Sequence, residues 1–315
     1  MYRTPVRQIC TAFWAHKRVL VTGASGFIGG AVARMLAEEG AVVHGTGCTR
    51  PPPAGLLGHR ARLPEDARAL LEAAHPEIVL HLAAPVSMRS DARTRAALES
   101  GIPAATQALA EATRAASARL VHISSCAVYE GGQAPFDEGQ TLNPHSHYGQ
   151  LKLAAEQIVM AQIRQGLSAS ILRPFRTYGP GCTTGLIAEA CQAAATGLPL
   201  QLTDGRQIRE WNHVDDISRG IICAAQHAPT GSVWNIGGGH RLSVASIAAR
   251  IYAAAGRSTE GLQMGIQPRR AGEVDRFWGD HRRAEARWGP LGEVDLDTGL
   301  HQTLAWHQDR CRAAR

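Results

Sequence analysis

Between the apolar run Val19-Leu20-Val21-Thr22 and a helical pattern with Val32, Met35 and Leu36 on one face, the chain places Gly23-Ala24-Ser25-Gly26-Phe27-Ile28-Gly29. No other stretch constrains the fold as tightly. Glycine is needed where such a turn reverses, where the backbone comes closest to a pyrophosphate, and where helix packs against strand. The helix amino terminus then offers N–H groups and a positive dipole end to the phosphates. The pattern predicts a dinucleotide-binding βαβ unit, with Gly23, Ser25, Gly26, Phe27, Ile28 and Gly29 around the cofactor.

The rest of the chain repeats that alternation. Further strands are expected at 41–45, 77–82, 119–124 and 168–173, and helices at 30–39, 65–74, 104–116 and from Tyr148 to about 165. Strands joined by helices of this length need crossover connections, hence a mostly parallel sheet covered on both faces. The expected class is α/β, a Rossmann-type doubly wound sheet with a smaller C-terminal α/β substrate lobe. Residues 1–16 read as an N-terminal extension and 17–175 as the dinucleotide-binding domain. Residues 176–315 read as mainly the substrate lobe, with segments near 210–238 returning to the first domain.

Composition excludes several classes. The net charge is +6, but the basic residues are scattered and form no run, so a nucleic-acid partner is not expected. Seven cysteines without a CxxC pair fit free thiols in a reducing compartment, and a cytoplasmic location is the expectation. No apolar run reaches the ~18 residues of a membrane span, and the first sixteen residues lack the apolar core of a signal peptide. The His145–His147 pair has no further ligands nearby and reads as part of a loop, so no metal is expected.

The end of the second strand bears on the cofactor. NAD is usually held there by a carboxylate on the ribose 2′-OH, but the segment here is His44-Gly45-Thr46-Gly47-Cys48-Thr49-Arg50. An acid would repel a 2′-phosphate, whereas Thr49 and Arg50 suit one. NADP(H) is therefore favoured, with NAD(H) possible.

Tyr148 and Lys152 stand four residues apart, on one face of a helix. A lysine charge beside the phenol is expected to lower its pKa toward the working pH, so that Tyr148 can exchange a proton with a hydroxyl or carbonyl. Ser125, at the end of the preceding strand, can hydrogen-bond the same oxygen. These three are the expected catalytic group. A protein that merely binds dinucleotide would have no need of the Tyr–Lys pair.

On these residues the chain resembles the extended short-chain dehydrogenase/reductases, the epimerase/dehydratase family acting on nucleotide sugars. The likeness includes His81-Leu82-Ala83-Ala84, Ser124 to Tyr129, Asn143-Pro144, Leu172-Arg173-Pro174-Phe175, Tyr178-Gly179-Pro180, Arg209 ahead of His213-Val214-Asp215-Asp216, Trp234-Asn235-Ile236-Gly237, and Arg270-Ala271-Gly272-Glu273. It implies that Leu82, Ala83, Ala84, Phe175, Tyr148 and Lys152 border the cofactor. It also implies that Arg209, Arg270 and Glu273 lie toward a substrate diphosphate, and that the protein is a homodimer built on the Tyr148 helix and the one before it.

Three departures narrow the reaction. The acidic pair that follows the catalytic Ser/Thr in family dehydratases is Cys126-Ala127 here, which argues against dehydration. The missing acid at the second strand argues against the tightly held NAD of an epimerase. The Asn usual after Arg-Pro-Phe is Arg176, either a stronger anion contact or the mark of a different acceptor. The resemblance, read with these departures, implies NADPH-dependent reduction of a nucleotide-linked keto-sugar, at C4 of a 6-deoxy sugar. The alternatives are a nucleotide-sugar epimerase and a ketoreductase acting on a non-sugar metabolite. Cys126 and Cys182 read as packing residues rather than acid/base groups.

Overall fold

The computed structural model describes residues 9–84, 96, 98–269 and 272–313. Its centre is a seven-stranded sheet. Strands β1 (Arg18–Thr22), β2 (Val42–Gly47), β3 (Leu57–Arg60), β4 (Ile78–His81), β5 (Arg119–Ile123) and β6 (Ser168–Pro174) come from the first part of the chain. After β7 (Thr177–Tyr178), β8 (Leu200–Gln201) and β9 (Ile208–His213), the strand β10 (Val233–Ile236) returns to it. The order is β10-β6-β5-β4-β1-β2-β3, and every neighbouring pair is parallel.

Helix α1 (Thr11–Trp14) precedes β1, and α2 (Phe27–Glu38), α3 (Ala67–Ala74), α4 (Ala105–Ala115), α5 (His147–Arg164), α6 (Leu186–Thr196) and α7 (Val214–His227) lie in the connections between strands. Alternate strand residues explain why the runs are apolar throughout. Val19, Val21, Leu80, Ile123 and Leu172 pack with Val32 and Leu36 of α2 and Ile217 and Ile221 of α7. Leu20, Val79, Leu120 and Ile171 face the other way, onto Leu70, Leu109 and Val159 of α3, α4 and α5. Each such side chain contributes roughly 1.5–3 kcal/mol by leaving water.

Beyond β10 the chain adds β11 (His240–Ser243), α8 (Val244–Ala254), β12 (Leu262–Gln263), β13 (Arg276–Phe277), α9 (Arg282–Trp288) and α10 (Leu296–Ala313). Here β9 is the hub: it pairs antiparallel with β11 and parallel with β7 and β13. A second core, with Ile187, Cys191, Trp211, Ile247, Ile251, Leu300 and Leu304, joins α6, α8 and α10. No helix among the described residues is long and apolar enough to cross a membrane.

Two local features differ from the sequence reading. The first crossover helix begins at Phe27 rather than Gly30, because extended Gly26 (φ −88°, ψ 177°) serves as its N-cap and Gly29 and Gly30 are absorbed into its first turns. The residues before β1 are also more than an extension. Trp14 is fully buried against the main core, and the Cys10 N–H donates to Gln226 Oε1 at 3.2 Å.

Candidate active site

The carboxyl ends of β1, β4, β5 and β6 open onto a cavity of about 710 Å³. On one side lies the glycine loop, with Gly23, Gly26, Phe27, Ile28 and Gly29 in the wall beside Leu82 and Ala84. Gly23 has φ +73°, and a Cβ there would sit 2.9 Å from the Ala83 nitrogen; one on Gly29 would strike the Gly23 carbonyl. The loop is pinned from below. Gly23 N–H donates to Thr46 Oγ1 at 3.1 Å, Ser25 N–H to the Thr46 carbonyl at 3.3 Å, and Ala83 N–H to Thr22 Oγ1 at 3.1 Å. No side chain caps the start of α2, so its first N–H groups remain available to an anion. This cradle fits a dinucleotide pyrophosphate. Ser25 and Ala83 thus flank the cavity, while Thr49 and Arg50 are exposed beyond the end of β2 and do not line it.

Opposite the glycine loop stand Ser125, Tyr148 and Lys152. The Ser146 hydroxyl caps α5 by accepting the Gly149 N–H at 3.0 Å, which fixes the first turn where Tyr148 sits. The Ser125 hydroxyl accepts the Ala127 N–H at 3.2 Å and acts on the phenol to draw its pKa down. Lys152 donates from Nζ to the Ile123 carbonyl at 2.8 Å, and burial lowers its pKa to about 8 despite the opposing Glu156 charge.

The phenol itself departs from expectation. Burial pushes Tyr148 up to about 12, with the Ser125 hydrogen bond pulling it down and Cys126 and Glu130 pushing further up. The Lys152 ammonium is turned to the Ile123 carbonyl instead. In this protein the group that favours the phenolate is Ser125.

Beneath the site runs a buried polar chain. Glu156 accepts Ser124 Oγ at 2.5 Å and two Arg173 donors at 2.9 and 2.6 Å. Arg173 also donates to the Tyr129 hydroxyl at 2.8 Å, and Tyr129 in turn to Asn235 Oδ1 at 2.8 Å. These bonds tie β5, β6, β10 and α5 together directly under Ser125. Phe175, 2% exposed, walls the cavity beside them.

Arg176, Arg209 and Glu273 also line the cavity. Arg209 Nη2 donates to Glu273 Oε1 at 2.6 Å, and Nη1 donates to the carbonyls of Ile208 at 2.9 Å and Asp275 at 3.3 Å. Arg270 lies outside the described residues. Cys126 and Cys182 line the cavity as well; burial pushes the Cys126 thiol to about 12 and raises that of Cys182. Both are protonated near neutral pH.

Sequence reasoning missed Glu130. It lines the cavity, and its Oε2 accepts the Ser146 N–H at 2.8 Å. Its only signal was its place five residues after Ser125. Among the described residues no cluster of His, Cys, Asp or Glu could hold a metal ion.

The profile of the NAD dependent epimerase/dehydratase family matches residues 19–237. The chain belongs to that family. Among its members, dTDP-glucose 4,6-dehydratase of Streptomyces griseus is 30% identical over 92% of this chain and 93% of its own. UDP-glucose 4-epimerase of Mycolicibacterium smegmatis is 29% identical over 93% of this chain and 99% of its own. The solved structure of MoeE5 in complex with UDP-glucuronic acid and NAD is 31% identical, with a TM-score of 0.84 over 93% of this chain and 99% of that one. The expected Rossmann-type α/β fold and family are thus those of the protein. The relatives are enzymes named for nucleotide sugars, and that solved member holds NAD.

Proposed function

We propose that this protein is an NADPH-dependent reductase of a nucleotide-linked keto-sugar, acting at C4. The observation that carries the reading is the reacting corner itself: Ser125, Tyr148 and Lys152 line one cavity, with the Ser125 hydroxyl drawing the phenol's pKa down, while Cys126 and Ala127 occupy the two positions after Ser125. That corner can polarise and protonate a carbonyl. It lacks the acid pair that elimination of water calls for.

In this reading Ser125 donates a hydrogen bond to the carbonyl oxygen. Tyr148 gives that oxygen its proton, and a phenol held near about 12 is protonated at neutral pH and ready to donate. Lys152 orients the nicotinamide ribose, and Phe175, Leu82 and Ala84 exclude water beside it. The bound nicotinamide supplies the hydride. Thr49 and Arg50, exposed past β2 with no carboxylate in the segment from His44 to Arg50, offer a 2′-phosphate its partners. Arg209, Arg176 and Glu273 face the substrate, and α4 with α5 forms the contact of a homodimer.

The test is net NADPH consumption across a panel of nucleotide-linked 4-keto-sugars. Tyr148→Phe should lower turnover by roughly 10²–10⁴-fold with cofactor binding retained, and near wild-type turnover would refute the mechanism. Arg50→Ala should erase a preference for NADPH over NADH; an NADH preference in the wild type would refute that part alone. The second reading is epimerisation, favoured by the NAD in the MoeE5 structure and the likeness to a 4-epimerase. It predicts interconversion of two nucleotide sugars, no net nicotinamide turnover, and cofactor that co-purifies.

A further inference from the structure

The cations lining the cavity are not equally engaged. Lys152 is turned to the Ile123 carbonyl, and Arg209 is held by Glu273 and two backbone carbonyls. Arg176 differs. It stays exposed in the cavity wall, and among the described residues only its main-chain carbonyl is engaged, by Asn212 N–H at 2.9 Å and Nδ2 at 3.1 Å.

Its place along the cavity is fixed from two sides. It follows Phe175 at the end of β6, and its charge is the strongest influence opposing burial at the Cys126 thiol, one residue from Ser125. After burial, it is also the largest influence depressing the Arg209 guanidinium. Geometry agrees: Phe175, just before it, packs in one cluster with Cys126, and the Arg176 carbonyl is held by Asn212 of β9, the strand that carries Arg209, so Arg176 stands in the cavity wall between the reacting corner and the Arg209–Glu273 pair, where a sugar ring would rest. Like charges facing one cavity repel unless an anion joins them, and a guanidinium fork matches a carboxylate in two parallel hydrogen bonds. The sugar-side phosphate of the diphosphate is the competing occupant. Position argues against it, because Cys126 sits beside the carbonyl-polarising Ser125, a ring's width from the anomeric oxygen that carries the diphosphate.

We propose that Arg176 makes this cavity select nucleotide-linked sugars bearing a carboxylate on the ring carbon next to the reacting one, that is, hexuronic acids. The inference rests on the nucleotide-sugar reading above. It departs from the 6-deoxy expectation, since a 6-deoxy sugar has a methyl group there and leaves the guanidinium unpaired.

Equilibrium binding to the protein loaded with oxidised nicotinamide cofactor decides it. The probes are UDP-glucuronic acid against UDP-glucose, and the corresponding dTDP pair. The acid should bind about tenfold or more tighter than its hexose, as expected for hydrogen bonds between charged groups. In Arg176→Gln that ratio should fall to about one, and in Arg176→Lys part of it should remain. Equal affinity for acid and hexose in the wild type overturns the proposal. So does a ratio that survives Arg176→Gln while both ligands weaken alike, which would assign the residue to the diphosphate. If none of these ligands binds although the cofactor does, the nucleotide-sugar reading falls, and this inference with it.

Discussion

His122 and His81 face each other across β5 and β4, with ring centroids 5.4 Å apart. Neither ring nitrogen of His122 has a hydrogen-bond partner among the described residues. His81 is held between Thr22 Oγ1 at 2.9 Å and Thr106 Oγ1 at 3.2 Å. Burial, then the Lys152 charge, lowers His81 from 6.5 to about 3, and His122 is lowered well below its ordinary value by burial, Lys152 and His81. As pH falls through 6.5 the unfolded chain takes up protons that the native histidines refuse. Stability is then lost on acidification, by about 1.4 kcal/mol per pH unit for each such histidine. Urea unfolding between pH 7 and 5 should show a shallower loss in His122→Phe; equal losses would refute this account. At this scale Ser125, Tyr148 and Lys152 were legible because one helical turn and one strand end set their spacing. Glu130 was not, and although the resemblance pointed to Arg209 and Glu273, their pairing was not. Arg209 and Glu273 meet across 64 positions of sequence, and only the approach of β13 to β9 brings them together.

The joint between β6 and α5 depends on one buried pair. The side chains of Arg173 and Glu156 are 5% and 6% exposed, and two hydrogen bonds join them. Removing one partner strands a charge away from water, a loss of about 3–5 kcal/mol. Arg173→Leu should therefore lower unfolding stability by that order and, by releasing the Glu156 carboxylate that holds Ser124, reduce turnover as well. A variant as stable as the wild type would show that the pair is replaceable. The strands of the main sheet could be read from sequence because both faces are covered, which makes their apolar runs continuous. β3 escaped notice: it lies at the sheet edge, and Leu57 is 52% exposed. β7, β8, β12 and β13 are two residues each, too short to carry any periodicity.

Trp14 ties the chain's start to a core assembled from the whole sheet. It packs with α2 residues and is wholly shielded from solvent, so Trp14→Ala should lower unfolding stability by about 3–5 kcal/mol. Equal denaturation midpoints would show that the segment before β1 is dispensable. Burial of a lone tryptophan outside any periodic run depends on what the finished sheet leaves uncovered, so no local pattern marks it. The sheet order has a consequence for cutting the protein. β10 reaches the edge beside β6 only after the chain has built β7, β8 and β9 in the smaller lobe. A fragment ending near residue 175 would leave the backbone of β6 unpaired along residues 171–174, where Val233–Ile236 now sits. Such an edge is a template for another chain. On the ribosome, too, the main sheet cannot close until the smaller-lobe segments between β6 and β10 have been made.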